Sequence, residues 1–126
     1  MPCYAKLDGK IYDFPDTKWY HDSVVYCLQK GIMKNKADGT FGIQDVTTRA
    51  MVAEALWVAE GSPKTAAPCF YQDVGDAHPA REAIIWAAET GVMSGYNGST
   101  FGAADAVTRE QLASILWRYA KQKDDR

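Results

Sequence analysis

Two arginines occupy matching places in the sequence, each directly after a threonine and before an apolar stretch with helical spacing. They are Arg49 and Arg109. A guanidinium binds a carboxylate through two parallel N–H···O bonds, a geometry that lysine does not reproduce. Because a helix N-terminus already carries partial positive charge, an arginine there disfavours the helix and favours an anion site. The alternative is a structural ion pair, Arg49 with Asp45 and Arg109 with Asp105.

The two arginines belong to an internal repeat. Residues 31–60 align without a gap with residues 91–120, and eleven of these thirty positions are identical, including a Thr-Phe-Gly segment before each arginine. Upstream, an aromatic residue precedes an aspartate by two positions in both copies, and the aspartates are Asp16 and Asp73. A repeated unit of this length cannot bury its apolar face alone, so the copies are expected to pack together.

Each copy predicts a helix, a long loop and a second helix. Apolar residues recur at helical spacing over residues 20–30 and 79–90, and again after the threonines at positions 48 and 108. Pro79 suits the first turn of its helix. Gly31 and Gly91 suit left-handed C-terminal caps.

The two second helices differ in how their first turns are capped. Thr108 and Gln111 fit a reciprocal capping box, whereas Met51 leaves the Thr48 cap without its return bond. Phe41 and Phe101 are expected to plug the loops onto the core. The predicted buried stripe of the last helix is Leu112, Ile115, Leu116 and Tyr119. Core packing is expected of Trp57 and Trp117, and a place in the core or at an interface is expected of Trp86.

Composition excludes several classes of protein. The chain has 126 residues, 47% of them hydrophobic, and a net charge of −2, which predicts a globular fold and no nucleic-acid partner. No apolar run is long enough to span a bilayer, and no signal peptide is visible. Cys27 fits a small core residue, while Cys3 and Cys69 either form a disulfide or stay free thiols.

The combined motif resembles the S-layer homology (SLH) repeat: aromatic-x-Asp, an amphipathic helix, Gly-aliphatic-Met, a Gly-rich loop, Thr-Phe-Gly, and Thr-Arg opening a second helix. The second copy resembles it along its whole length and the first more loosely. The resemblance implies an all-α fold of two helix–loop–helix repeats, an incomplete version of a three-repeat, pseudo-threefold arrangement. The predicted segments are an N-terminal extension 1–13, repeat one 14–61, a linker 62–69, repeat two 70–120 and a tail 121–126.

The resemblance further implies a secreted, non-catalytic module at the cell wall or S-layer. Its expected partner is an acidic secondary cell-wall polysaccharide bearing pyruvylated amino sugars, bound in grooves between repeats without a cofactor or metal. The residues expected at the ligand are Arg49, Arg109, Trp19, Asp16, Asp73, Gly39 and Gly95. The arginines would bind the pyruvate carboxylate, and the tryptophan would stack on a sugar ring. The glycines would let backbone amides approach the ligand closely.

Departures from the family pattern keep an alternative open. Ala50-Met51 stand after the first Thr-Arg, where a glutamate is usual, and only two repeats are present. A second chain or further repeats of the parent protein would then complete the arrangement. The alternative function is a protein-interaction or assembly module that uses the repeats as an oligomerising scaffold. An enzyme is disfavoured because His21 and Cys27 lie on different faces of one helix, and an EF-hand starting at Asn35 fails because Val46 stands at its twelfth position.

Overall fold

The computed structural model describes residues 5–7, 10–12, 17–36, 38–65 and 67–124. Its elements in chain order are β1 (Ala5–Leu7), β2 (Lys10–Tyr12), α1 (His21–Gln29), α2 (Arg49–Ala59), α3 (Arg81–Thr90) and α4 (Arg109–Asp124). Both repeats are built from helices, so the predicted all-α class is confirmed. The N-terminal extension adds a small antiparallel hairpin, in which Ala5 lies opposite Tyr12, that the sequence analysis did not predict.

The chain divides into two compact units, Met1–Asp45 and Val46–Arg126, called here the N-terminal and C-terminal units. In the N-terminal unit, Val24 of α1 is buried, and its partly buried apolar neighbours come from α1 and from the loop that follows it. These neighbours are Tyr20, Val25, Leu28, Phe41 and Ile43. Phe41 therefore closes its loop onto α1, as predicted.

The C-terminal unit combines α2 of the first repeat with the whole second repeat. Helix α2 packs against α3, and both contribute to one apolar cluster. Its largest fully buried side chains are Phe101, Ile84, Met93 and Val92, while Trp86 is 6% exposed. The predictions of Phe101 as the loop plug and of Trp86 as a core residue are confirmed. The boundary between the compact units thus lies inside the first repeat, after its loop.

The caps at the two repeated helix starts agree with the prediction. At α4, the Thr108 N–H donates to Gln111 Oε1 and the Gln111 N–H donates to Thr108 Oγ1, both at 3.3 Å. At α2, Thr48 Oγ1 accepts from the Met51 N–H at 3.2 Å, and a methionine has no group to return the bond. Gly31 and Gly91 have φ of 73° and 82°, which fits their predicted capping role.

Two details at helix ends correct the prediction. Helix α3 begins at Arg81, so Pro79 precedes the helix and does not stand in its first turn. Helix α4 continues through Asp124, into the segment predicted as a frayed tail. Its end is held because Lys123 Nζ bonds Glu60 Oε1 at 2.9 Å and the Gln122 amide donates to the carbonyl of Thr90. These long-range bonds to α3 and to the end of α2 keep the polar C-terminal segment helical.

The predicted buried stripe of α4 is only half right. Ile115 is buried and Tyr119 is half-buried, but Leu112, Leu116 and Trp117 are 38%, 47% and 62% exposed. Within the C-terminal unit, α4 turns one side to the core and leaves these three side chains on another. Trp57 is half-buried and donates its indole N–H to the carbonyl of Pro63 at 2.8 Å, which fixes the start of the linker.

The cysteines are free thiols where the structure describes them. Cys27 and Cys69 are both partly buried and unbridged, and Cys69 Sγ lies 3.9 Å from the carbonyl oxygen of Val74. Cys3, the other half of the predicted alternative disulfide, lies outside the described residues.

Candidate ligand-binding cleft

The start of α2 is bound to the loop that precedes α4. The Arg49 and Ala50 N–H groups donate to the carbonyls of Asp105 and Ala103 at 2.9 and 3.1 Å, and the Val107 N–H donates to the carbonyl of Thr47 at 3.0 Å. These bonds occupy the helix-start amides that would otherwise attract an anion. The expectation of open amides beside Arg49 is therefore wrong, and any anion recognition here depends on side chains.

The Arg49 side chain is buried at this junction, with the residue only 6% exposed. Its Nε donates to the carbonyl of Phe101 at 3.1 Å and its Nη2 to the carbonyl of Ser94 at 2.5 Å. Its Cζ lies 4.9 Å from the ring centres of both Tyr96 and Phe101. A guanidinium has five N–H donors. Those two bonds are the only ones it makes among the described residues, so three donors remain.

Asp73 organises the loop that receives Arg49. Its carboxylate accepts backbone N–H bonds from Phe101, Gly102 and Ala103 at 2.8–2.9 Å. Partial burial raises the pKa of Asp73, but the three bonds outweigh it and hold that pKa below its ordinary value. Asp73 was expected at the ligand. Its carboxylate instead holds the Phe101 segment whose carbonyl Arg49 binds, which makes it a positioning residue.

Tyr96 covers the outer side of the Arg49 guanidinium. Its hydroxyl donates to Asp105 Oδ2 at 2.8 Å, and this bond, with some burial, raises the pKa of the phenol. Gly102 makes room for the ring, since a Cβ there would lie 2.5 Å from Tyr96 Cε2, and its φ of 83° also favours glycine. The ring is thus fixed by both a hydrogen bond and the shape of the loop.

An open cleft of about 330 Å³ lies beside Arg49. Its walls come from the start of α2, from the loop after α3 and from one side of α4. The lining residues are Arg49, Met93, Ser94, Tyr96, Glu110, Gln111, Ser114, Ile115 and Arg118. The lining carries two guanidiniums and one carboxylate, and therefore one net positive charge. A ligand with a single anionic group would be neutralised here.

Of the remaining predicted site residues in the C-terminal unit, neither faces this cleft. Arg109 is exposed at the start of α4 and, within the described part of the chain, has no hydrogen bond or ion pair. Gly95 serves packing, because a Cβ there would lie 2.5 Å from Tyr71 Cε1, and its N–H donates to the Tyr71 hydroxyl at 3.1 Å. Its amide is therefore already used, contrary to the expectation that it would approach a ligand.

The other predicted residues belong to the N-terminal unit. Trp19 is 91% exposed, with its ring tilted against Tyr20 at 5.3 Å between centres. Gly39 lies in an exposed turn with φ of 88°, and its N–H donates to the carbonyl of Lys36. Asp16 lies outside the described residues. The structure therefore groups Arg49 and Asp73 around one loop and does not bring Arg109 or Gly95 into the cleft.

The aspartates proposed as structural partners of the arginines bind other groups. Asp45 pairs with Lys36 at 2.6 Å, and Asp105 accepts from Tyr96. Arg49 instead gives its N–H groups to two carbonyls, and Arg109 has no acid partner among the described residues. The alternative in which each arginine only bridges its own loop aspartate is wrong for the side chains described.

Sequence reasoning missed most of the cleft, including Tyr96, Glu110, Ser114 and Arg118. One signal was available in α4, where the last three of these residues recur at a spacing of four and so share a helix face. Tyr96 offered no comparable signal, because its role depends on its contact with Arg49 of the preceding repeat.

Among the described residues, no three His, Cys, Asp or Glu side chains converge to hold a metal ion. No helix in that part of the chain has the length and apolar character to cross a bilayer.

Comparison with known proteins identifies the family. None of the curated proteins compared matches the chain. The S-layer homology domain matches twice, over residues 11–51 and 71–113, which together cover well over half of the chain. Repeats of this family anchor proteins at the cell surface and associate them with the wall and S-layer. The chain belongs to the S-layer homology domain family, as two tandem repeats.

Proposed function

We propose that this chain is a non-catalytic anchoring module that binds an acidic, pyruvylated secondary cell-wall polysaccharide in the Arg49 cleft. The observation that carries the proposal is Arg49 itself, which is 6% exposed yet lines an open cleft and retains unused N–H donors among the described residues. None of these unused donors is among the buried polar atoms that lack a partner, so they face the open cleft, where an acceptor can reach them. A carboxylate entering from the cleft would supply one.

The surroundings of Arg49 suit this chemistry. Two aromatic rings and two carbonyls hold the guanidinium in one orientation, so little side-chain entropy is lost when a ligand binds. Gln111 and Ser114 add neutral hydrogen-bonding groups to the wall of the cleft, which fits sugar hydroxyls. A ketal-linked pyruvate would offer the planar carboxylate that a guanidinium binds best.

The test is co-sedimentation of the intact chain with purified Gram-positive cell walls. Arg49→Lys keeps a positive charge but loses the paired donors, so about tenfold weaker wall binding is expected. Arg109→Lys is the matched control, since Arg109 lies outside the cleft, and should bind like the parent. Circular dichroism checks that both variants remain folded.

A second arm does not depend on any variant. Mild acid removes the pyruvate ketals from the wall polymer, and the unmodified chain should then lose most of its binding. Equal binding to treated and untreated walls would contradict the carboxylate as the recognised group.

A second candidate function, assembly through protein contacts, is favoured by the exposed side of α4. Leu112, Leu116 and Trp117 correspond, at an offset of sixty residues, to Val52, Leu56 and Trp57 of α2. In the C-terminal unit the equivalents on α2 contribute to the core, and Val52 is 8% exposed. The same face of α4 therefore has the chemistry of an interface between repeats.

For this candidate we expect the chain to self-associate with rising concentration in light scattering. Leu116→Asp should abolish the association because it places a charge on that face. Ser114→Asp, which places the same charge at an exposed position on the cleft side of α4, is the control. A monomer at every concentration, unaffected by either change, would remove the candidate.

A further inference from the structure

We propose that Arg118 and Glu110 of α4 set the charge spacing of the ligand that the cleft accepts, so that it takes a polymer with isolated carboxylates and rejects a phosphodiester polyanion. This inference rests on the proposed function of the same cleft. It assigns the first contact with the anionic group to Arg118, and selectivity to Glu110.

Arg49 and Arg118 are the two positive charges of the cleft, and they differ in how accessible they are. Arg49 already gives two N–H groups to carbonyls and lies between two rings. Arg118 lines the same cleft, is exposed and has no hydrogen bond or ion pair with any described residue. Arg118 is therefore the more accessible guanidinium, able to meet an anion in solution before Arg49 binds it in the cleft.

Glu110 also lines the cleft and has no partner among the residues that the structure describes. It lies eight positions before Arg118, so the two are separated by about 12 Å along the axis of α4. A carboxylate at one end of the cleft repels a second anionic group there, while it accepts hydrogen bonds from hydroxyl or N-acyl N–H groups.

The spacing between Glu110 and Arg118 along α4 decides which charged polymers the cleft accepts. A polymer with a charge on every unit would place one anion near Arg118 and another near Glu110, so attraction at one end would be cancelled at the other. A polysaccharide with one carboxylate among neutral sugars would place the carboxylate at Arg118 and hydroxyls at Glu110. The cleft thus discriminates by the distance between charges as well as by their sign.

Calorimetric titration of the intact chain tests this with two probes, a pyruvylated wall polysaccharide and a poly(glycerol phosphate). Arg118→Gln should weaken binding of the polysaccharide about tenfold, the loss typical of a charge-assisted hydrogen bond. Arg109→Gln, the same exchange at the exposed helix start, should change it less than about twofold. Glu110→Gln should raise the affinity for poly(glycerol phosphate) about tenfold, because the repelling charge is gone.

The outcomes separate this inference from the function on which it rests. Tight binding of the polysaccharide that is lost with Arg49→Lys but unchanged with Arg118→Gln would overturn the role of Arg118 and leave the anchoring function standing. Unchanged rejection of poly(glycerol phosphate) by Glu110→Gln would overturn the role of Glu110. If the parent chain binds neither polymer, the anchoring function and this inference fail together.

Discussion

Lys36 in the first repeat and Tyr96 in the second occupy equivalent positions but differ in chemistry. This difference decides which side chain each loop can bind. Tyr96 and Lys36 lie sixty residues apart and each bonds the equivalent aspartate, Asp105 at 2.8 Å and Asp45 at 2.6 Å. The tyrosine leaves a ring face on which Arg49 packs. A lysine at that place would repel an arginine, so the first loop is not built to receive a guanidinium as the second loop does.

Asp73 determines whether this receiving loop keeps its shape, and its contribution should depend on pH. Its pKa is held below the ordinary value of 3.8, so the stability it supplies is fully present above that value and is lost as the pH falls through its lowered, folded-state pKa. Asp73→Asn keeps the size of the side chain but removes the charge and one acceptor. We expect it to lower the free energy of unfolding by roughly 1–3 kcal/mol at neutral pH.

Denaturant unfolding at several pH values measures this effect. The difference between the parent and Asp73→Asn should shrink toward zero as the pH falls from 3.8 through the lowered pKa of Asp73, because the parent carboxylate is then also protonated. Asp76→Asn is the control. Asp76 is exposed and its carboxylate pairs with Arg81 at 3.5 Å, and a surface ion pair of this kind contributes little to the free energy of unfolding. A difference that stays constant from neutral to acid pH would show that the charge of Asp73 contributes nothing.

At the scale of elements, the helix ends were predicted more accurately than the packing of the helices. The capping box of α4, the weaker cap of α2 and the left-handed glycines follow from neighbouring residues, and the structure agrees with each. The buried stripe of α4 was predicted from periodicity alone, which identifies apolar positions but not which of them a neighbouring element covers. Leu112 and Leu116 therefore stay exposed although their spacing is that of a core.

The cleft was harder to predict because its parts come from different elements. Arg49 was selected from its place at a helix start and does line the cleft, but its contacts lie 45 and 52 residues away in the next repeat. The amides beside it were expected to be open, and the Asp105 and Ala103 carbonyls occupy them. Such long-range pairings depend on how repeats pack, which no local pattern in the sequence encodes.

At the scale of the whole molecule, the repeat is the unit of sequence but not the unit of packing. The first repeat is matched by the family over residues 11–51, yet its second helix α2 packs with the second repeat in the C-terminal unit. The cleft accordingly has Arg49 from one repeat and Tyr96 and α4 from the other. An arrangement of this kind creates a cleft only where two repeats meet, so a single repeat would lack it.

At the C-terminal end of α2, a polar cluster of Glu60, Tyr119 and Lys123 joins this helix to α4. The Tyr119 hydroxyl donates to Glu60 Oε1 at 2.5 Å and Lys123 Nζ bonds the same oxygen at 2.9 Å, joining the end of α2 to α4. Burial, and then the bond to Glu60, raises the pKa of Tyr119 above 10.0, while the bond to Glu60 raises the pKa of Lys123 above 10.5. Groups with a raised pKa stabilise the fold below the unfolded value and lose that contribution as the pH rises through the folded value.

The C-terminal unit should therefore loosen in alkali before its apolar core is affected. Tyr119→Phe removes the hydroxyl without changing the ring, and we expect it to lower the free energy of unfolding by about 1 kcal/mol at neutral pH. The difference from the parent should shrink as the pH rises past about 10, because the parent loses the same bond by ionisation. Thermal melts under reducing conditions measure it, with Tyr26→Phe on the exposed face of α1 as the matched control. If the parent and Tyr119→Phe differ equally at neutral and alkaline pH, the hydroxyl–carboxylate bond does not hold α4 to α2.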